Sequence, residues 1–248
     1  MFTKKKLLGV DITIGEKKEI LEYIIRGLEK LDEKYYVVTP NPEILVIADR
    51  DPYYKKVLNN AKVALPDGIG VIIASKLLGF GLKDRVTGVD LMKSLCMLVS
   101  EKPITIGLLG AGPGVAELAA ECLTKKYPGL KVVLAKEEWD KYNVKLRLNK
   151  TNKNERRIDI LFVAFGSPKQ EIWIYENLNK LPIGVAIGVG GAFDFISGKV
   201  RRAPLFLQKI GLEWLFRLIT QPWRIKRQFS LIKFIALVIF ERFKTKNN

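Results

Sequence analysis

The feature that most constrains the fold is a regular alternation of two kinds of segment. Short runs rich in β-branched residues are each followed by a longer stretch in which apolar residues recur with a helical period. This alternation predicts parallel strands joined by crossover helices. The predicted strands are Leu7–Ile12, Tyr35–Thr39, Lys62–Leu65, Ile104–Leu109, Lys131–Ala135, Ile158–Phe165 and Ile183–Val189. The predicted helices are Glu16–Leu31, Glu43–Asn59, Gly68–Leu78, Gly88–Val99, Val115–Lys126 and Lys169–Leu178.

We therefore predict an α/β fold in which a Rossmann-like, mostly parallel sheet with flanking helices occupies residues 1–198. Beyond that point the β-branched runs stop. Two further helices are predicted, Pro204–Thr220 and Trp223–Phe243, with a break at Pro222 because proline cannot continue a helix. Residues 199–248 are interpreted as a separate helical appendage.

The appendage is both basic and apolar. It contains twelve Lys and Arg residues against two glutamates, so it carries +10 of the chain's net charge of +16. Its longest apolar run, Phe234–Phe240, has seven residues, whereas a membrane-spanning helix needs about 20. This combination favours association with an anionic membrane surface, because apolar side chains can enter the acyl boundary while cations meet head groups. Packing of the apolar face on the body or on a second subunit is the alternative.

The chain contains no histidine, which excludes Ser-His-Asp triads and the usual zinc sites. A general base must then be a carboxylate, lysine, tyrosine or cysteine. Asp67 is the candidate, since it follows a predicted strand and precedes a helix; a helix N-cap is its alternative role. Asp49-Arg50-Asp51 matches a D-x-D metal motif, but it ends a predicted helix and is interpreted as a solvated helix end.

Several predicted strand ends carry further candidates, because ligands of such folds collect where strands end and helices begin. Gly110 and Gly112 belong to a glycine-rich turn whose backbone amides could hold a phosphate. A tight structural turn and a nicotinamide site are the alternatives. Against the nicotinamide site, the spacing is G-x-G-x-G, and the residue after the next predicted strand is Lys136 where dinucleotide folds carry the acidic ribose ligand. Arg85 could clamp a diphosphate or be a surface charge, and Gln170 could bind a ligand or merely occupy the first turn of its helix.

Six ordered motifs carry a resemblance to a known family. They are Thr39-Pro40-Asn41, Pro66-Asp67-Gly68-x-Gly70, Arg85-Val86-Thr87-Gly88-x-Asp90, Gly166-Ser167-Pro168-Lys169-Gln170-Glu171, Gly188-Val189-Gly190-Gly191-x-Phe193-Asp194, and Arg202-Ala203-Pro204 with Gly211-Leu212-Glu213-Trp214-Leu215-x-Arg217-Leu218. Over nearly its whole length the chain closely resembles the WecG/TagA/CpsF glycosyltransferases, glycosyltransferase family 26. The resemblance implies a GT-E-like arrangement of the sheet.

The resemblance implies a peripheral enzyme on the cytoplasmic face of a bacterial membrane. It would move an N-acetylmannosamine-type or glucose-type sugar from a UDP-sugar to a polyprenyl-diphosphate-linked sugar, in cell-surface polysaccharide or teichoic acid synthesis. Inversion at the anomeric carbon is implied, with no metal and no cofactor. Nucleic acid is not an implied partner, and self-association is left open. A basic peripheral membrane or nucleic-acid-binding protein on a Rossmann-like scaffold is the alternative.

The resemblance also implies residue roles. Asp67 would deprotonate the acceptor hydroxyl, with Thr39 and Arg85 beside it as the other catalytic positions. The implied substrate-binding residues are Asn41, Gln170, Gly190, Gly191, Asp194, Arg217, Arg224 and Arg227. The three appendage arginines would share one helical stripe if the helix continued through Pro222. One region, residues 136–157, departs from the pattern of relatives and puts substrate choice there in doubt.

Overall fold

The computed structural model describes residues 2–29, 33–82, 84–139 and 157–246. The predicted departure at residues 136–157 therefore lies mostly outside the described residues. The strands are β1 (Thr3–Leu7), β2 (Val10–Ile14), β3 (Tyr35–Val38), β4 (Val63–Ala64), β5 (Thr105–Gly110), β6 (Lys131–Lys136), β7 (Ile158–Ala164) and β8 (Ile183–Gly188). Strands β3 to β8 form one sheet in the order β4-β3-β8-β7-β5-β6, and all neighbouring pairs are parallel. The predicted α/β class and parallel sheet are confirmed.

Helices connect the strands and form the C-terminal part of the chain. They are α1 (Lys17–Glu29), α2 (Pro42–Arg50), α3 (Pro52–Asn59), α4 (Ile69–Leu77), α5 (Gly88–Val99), α6 (Val115–Lys126), α7 (Lys169–Asn177), α8 (Ala192–Ile196), α9 (Leu205–Lys209), α10 (Glu213–Thr220) and α11 (Ile225–Lys246). Short 3₁₀ helices occupy Leu178–Lys180 and Pro222–Arg224.

The sheet is buried on both faces, and alternation along its strands divides the core into two layers. Along β7, Leu161 and Val163 pack in one layer, while Ile160 and Phe162 pack in the other. Successive side chains of a strand point to opposite faces, so a strand covered on both sides must be apolar throughout. This explains why the strand signals in the sequence are continuous apolar runs.

The first predicted strand, Leu7–Ile12, is wrong, because an antiparallel hairpin of β1 and β2 occupies this region outside the main sheet. The hairpin turns at Leu8 and Gly9, whose φ angles are 51° and 78°. Two successive positive φ angles match the twist of a two-residue hairpin turn, and glycine adopts them at little cost.

Two predicted helices are each divided in two. The prediction Glu43–Asn59 is wrong at Asp51, which caps α3 by accepting a hydrogen bond from the Tyr54 N–H at 3.0 Å while Pro52 takes the first helical position. The prediction Pro204–Thr220 is interrupted at Gly211, where φ is +80°. The predicted break at Pro222 is confirmed. The stripe of three arginines required a helix that continues through Pro222, so this arrangement does not form.

The C-terminal segment, residues 199–246, packs against the preceding part of the chain, the sheet domain, through one face of α11. Phe234 and Val238 are each 2% exposed and belong to the core layer that includes α2. Leu231 packs against the same layer, and the Glu241 carboxylate accepts a hydrogen bond from the Leu8 N–H at 3.0 Å. These positions recur every three or four residues, so they share one helix face. The division at residue 198 stays a prediction.

A second set of apolar side chains in this segment is exposed to solvent. None of the helices in the described ranges is both long enough and apolar enough to cross a bilayer. The exposed members on α11 and the preceding helices are Leu205, Phe206, Ile210, Trp214, Leu215, Ile219, Trp223, Ile225, Phe229, Ile232, Ile235, Ile239, Phe240 and Phe243.

Two phenylalanines of α11 form a matched pair for testing this packing. Phe234→Ala should lower the free energy of unfolding by about 3 kcal/mol, because it leaves a cavity between α11 and α2. Phe240→Ala, at a side chain that is 70% exposed, should change it by less than about 0.5 kcal/mol. Urea-induced unfolding measures both, and equal effects would contradict the docking of α11.

Candidate active site

The candidate site lies at the carboxyl end of three neighbouring strands. Thr39 follows β3, Asp67 follows β4, and the Gly190-Gly191 pair follows β8. The order β4-β3-β8 places these loops side by side, although they are far apart in sequence. The carboxyl edge of a parallel sheet is where α/β folds bind ligands.

Hydrogen bonds tie these loops to one another. The Asp67 N–H donates to the Pro40 carbonyl at 2.9 Å, and the Val86 N–H donates to the Pro66 carbonyl at 3.0 Å. The buried Thr39 hydroxyl lies 3.4 Å from the Gly188 carbonyl. The loop that carries Arg85 is therefore fixed beside the Asp67 loop, and the Thr39 side chain spans β3 and β8.

The pKa of the Asp67 carboxyl group is strongly shifted. Burial raises its pKa to about 7, against the positive charge of Arg85, which lowers it. The negative charges of Glu213 and Asp90 also raise this pKa, and Arg202 lowers it. A carboxylate that ionises near neutral pH is suited to accept a proton. Asp67 does not cap the following helix, which was its alternative role, because the N-cap of α4 is Gly68.

Arg85 lies between the Asp67 loop and the C-terminal segment. Its Nη2 donates to the Gln208 carbonyl at 2.8 Å. A groove of about 330 Å³ opens there, at the small end of the range for ligand sites. Its lining combines apolar and charged side chains: Ile69, Ile72, Arg85, Asp90, Leu205, Gln208 and Lys209.

The C-terminal segment also brings Arg217 to the glycine loop after β8. The Arg217 guanidinium lies over the Phe195 ring, 4.8 Å from its centroid. A Cβ atom added to Gly191 would lie 3.5 Å from Asp194 Oδ2 and 3.6 Å from Arg217 Nη2. The structure therefore brings three predicted residues together at Gly191, one of them from α10.

Gln170 supports this loop from inside the protein. Its side chain is 1% exposed, and its Oε1 accepts a hydrogen bond from the Gly190 N–H at 3.0 Å. Its Nε2 donates to Glu171 Oε1 at 2.6 Å, and Glu171 accepts further hydrogen bonds from Ser167 and Tyr54. Burial raises the pKa of Glu171. The geometry therefore gives Gln170 a loop-supporting position, and nothing in the sequence pattern linked Tyr54 to it.

The remaining predicted positions lie further from Asp67 or make structural contacts. Asn41 Oδ1 caps α2 by accepting from the Ile44 N–H at 3.0 Å. Gly110 approaches β7 closely, since an added Cβ would lie 2.8 Å from the Ala164 carbonyl carbon. The turn that contains Gly112 is followed by a different groove, of about 360 Å³, lined by Pro113 to Val115, Leu118 and Ser197 to Lys199.

The last two predicted arginines follow Pro222. Arg224 Nε donates a hydrogen bond to Gln221 Oε1. The side chain of Arg227 lies outside the described part of the chain. Asp49 is exposed and Asp51 caps α3, as expected for helix ends. Within the described ranges, no group of three Asp, Glu or Cys side chains is arranged to hold a metal ion.

A partly buried ion network was not predicted from the sequence. Arg202 Nη1 and Nη2 donate to the two oxygens of Asp90 at 2.6 and 2.8 Å, and Arg202 Nε donates to Glu213 Oε1 at 3.0 Å. Although burial opposes it, hydrogen bonds from Arg202 and Thr87 hold the pKa of Asp90 at about 2. All four residues occur in the quoted motifs, but sequence spacing did not indicate that they meet.

Comparison with known proteins identifies the family. A family model described as the glycosyl transferase WecG/TagA/CpsF family matches residues 5–248. The chain belongs to this family. It is therefore a glycosyltransferase, and the interpretation as a binding protein alone is set aside.

Several relatives of this glycosyltransferase carry the name N-acetylglucosaminyldiphosphoundecaprenol N-acetyl-beta-D-mannosaminyltransferase. The Bacillus subtilis strain 168 protein is 37% identical over 91% of this chain and 88% of its own length. The Bacillus spizizenii protein is 36% identical over 82% of this chain and 78% of its own, and a Staphylococcus aureus protein is 29% identical over 98% and 95%.

The raised pKa of Asp67 predicts a pH-dependent effect on the stability of the glycosyltransferase. The folded state keeps a proton on Asp67 up to about pH 7, whereas the unfolded chain releases it near pH 4. The contribution of Asp67 to the free energy of unfolding of the wild type is therefore largest below about pH 4, and it is lost as the pH rises through about 7.

Asp67→Asn removes this loss, so its stability relative to wild type should increase from pH 5 to pH 8. Urea unfolding at both pH values measures the change. Asp49→Asn removes an exposed carboxylate and is the control. A constant difference between wild type and Asp67→Asn would contradict the burial of this carboxyl group.

Proposed function

We propose that this glycosyltransferase transfers N-acetylmannosamine from a UDP-sugar to a sugar carried on polyprenyl diphosphate, with inversion and without a metal ion. The names of its relatives support the sugar and the lipid-linked acceptor. The observation that carries the proposal is the Asp67 carboxyl group, which has a pKa of about 7 and lies beside Arg85 at the carboxyl edge of the sheet.

Asp67 would act as the general base. Its ionised carboxylate takes the proton of the acceptor hydroxyl while that oxygen forms a bond to the anomeric carbon of the donor. The bond from the anomeric carbon to the UDP oxygen breaks, and the electron pair leaves with UDP. A single displacement of this kind inverts the anomeric configuration. Thr39, which follows the neighbouring strand β3, would help to hold the substrates.

Positive charge near the glycine loop would stabilise the leaving diphosphate. Negative charge grows there as the glycosidic bond breaks, and fixed cations and backbone N–H groups stabilise it without reorganisation. Arg217 lies beside Gly191, and Arg85 lies near Asp67. Arg224 and Arg227 would meet the diphosphate of the acceptor. These cations are the reason that the proposal needs no metal ion.

The groove beside Arg85 suits the first part of the acceptor lipid. Arg85 and Lys209 offer positive charge to a diphosphate, and Ile69, Ile72 and Leu205 offer apolar surface to a hydrocarbon chain. The carboxylate of Asp90 is paired with Arg202, so it does not cancel these charges. Apolar lining with a few oriented polar groups is typical of ligand sites.

The exposed face of α11 would hold the enzyme on the membrane. Phe229, Ile232, Ile239 and Phe243 recur at helical spacing and lie opposite the face that packs on α2. Burial of this surface in a bilayer removes it from water, and nearby Lys and Arg residues attract anionic lipids. Location on the cytoplasmic side stays a prediction.

Asp67→Asn tests the proposed base. The substitution should lower turnover on the order of 10² to 10⁴-fold, because the amide cannot accept the proton. Wild-type kcat/KM should fall below about pH 7 as Asp67 becomes protonated. Release of UDP from UDP-N-acetylmannosamine, with a polyprenyl-diphosphate-linked N-acetylglucosamine as acceptor, measures both. Near-normal turnover of Asp67→Asn would disprove the assignment, and Asp49→Asn is the control.

Paired substitutions on α11 test the membrane surface. Phe229→Ser with Phe243→Ser should abolish sedimentation with vesicles that contain anionic lipid, and should reduce transfer to a lipid-linked acceptor. Tyr53→Ser with Met97→Ser removes exposed apolar side chains of the sheet domain and should leave both properties unchanged. Vesicle binding that survives the α11 substitutions would contradict this role.

A further inference from the structure

Arg202 connects α5 of the sheet domain to α10 of the C-terminal segment. Its side chain is 14% exposed, and it contacts Asp90 through two hydrogen bonds and Glu213 through a third. Its Nη2 also lies 3.4 Å from the Thr87 hydroxyl. Two-pronged contacts between arginine and a carboxylate fix both distance and orientation, and a lysine cannot reproduce them.

The two partners of Arg202 belong to different parts of the molecule. Thr87 caps α5, and Asp90 lies in its first turn, next to the loop of Arg85. Glu213 opens α10, the helix that carries Arg217. Glu213 and Arg217 are four residues apart, so they lie on the same helix face, one turn from each other.

We propose that Arg202 is a positioning residue that fixes the first turn of α10 against α5 and thereby sets Arg217 beside the Gly190-Gly191 loop. Arg202 itself touches no substrate. The inference rests on the proposed function, because it assumes that Arg217 stabilises the leaving diphosphate.

The start of α10 has few other features that could fix its orientation. The helix α10 has no side-chain cap at Leu212, and Gly211 before it adopts a φ angle of +80°. No residue of α10 is buried, so packing holds this helix weakly. The Arg202–Glu213 contact therefore replaces the cap and core packing that usually set the orientation of a helix.

A double-mutant cycle tests the inference in the full-length chain. Arg202→Gln and Arg217→Gln should each lower kcat by about 10²-fold, since a misplaced charge loses its effect on the transition state. The double variant should be no slower than the slower single variant, because Arg202 acts through Arg217. The KM for the UDP-sugar should change less than kcat in all three.

Control variants separate positioning from a loss of folding. Arg157→Gln breaks a comparable ion pair, in which Arg157 contacts Asp159 and is 21% exposed. This pair lies at the amino end of β7, away from the candidate site, so the variant should keep full activity. Glu213→Ala cuts the α10 side of the network and leaves the Arg202–Asp90 contact, so it should show the same non-additivity with Arg217→Gln even if Arg202→Gln fails to fold. Because Glu213 also raises the pKa of Asp67, kcat is compared at a pH above about 8, where Asp67 is ionised in all variants. Thermal unfolding of each variant reports on folding.

The possible outcomes are distinct. Multiplicative losses in the cycle, or an Arg202→Gln variant that folds and retains full kcat, would overturn the inference while leaving the proposed function intact. Full activity of Arg217→Gln would overturn the role of Arg217 in the proposed function and this inference with it. Non-additive losses in kcat support both.

Discussion

The candidate active site depends on the parallel pairing of β3 with β4 on one side and β8 on the other. These pairings bring the loops that follow Val38, Ala64 and Gly188 to one edge of the sheet. Parallel strands need long crossover connections and are buried on both faces, so their carboxyl ends are held firmly. Asp67, Thr39 and the glycine loop gain their fixed relation from this constraint.

The pKa of Asp67 depends on a balance between burial and nearby charges. Burial alone would keep this carboxyl group protonated far above its usual range, and the nearby Arg85 limits the effect. Glu213 and Asp90 act in the opposite direction to Arg85, and both are bonded to Arg202. The C-terminal segment therefore contributes to the electrostatics of the site as well as to its shape.

The C-terminal helix α11 has two apolar faces with different environments. One face completes the core through Phe234 and Val238, while the other is exposed through side chains such as Phe229 and Phe240. The neighbouring α10 carries Arg217 to the glycine loop after β8. The C-terminal segment thus combines core packing, an exposed apolar face and a cation of the candidate site.

The sequence by itself determined the α/β class, the parallel sheet and the identity of Asp67 as the carboxylate at a strand end, because local periodicity and strand-to-helix junctions are encoded within short windows. It failed where one residue reverses or interrupts a segment, as at Gly9, Pro52 and Gly211. Only the tertiary structure decided the strand order, the raised pKa of Asp67 and the meeting of Arg202 with Asp90 and Glu213. Each of these depends on residues distant in sequence, whose proximity and burial no local pattern records.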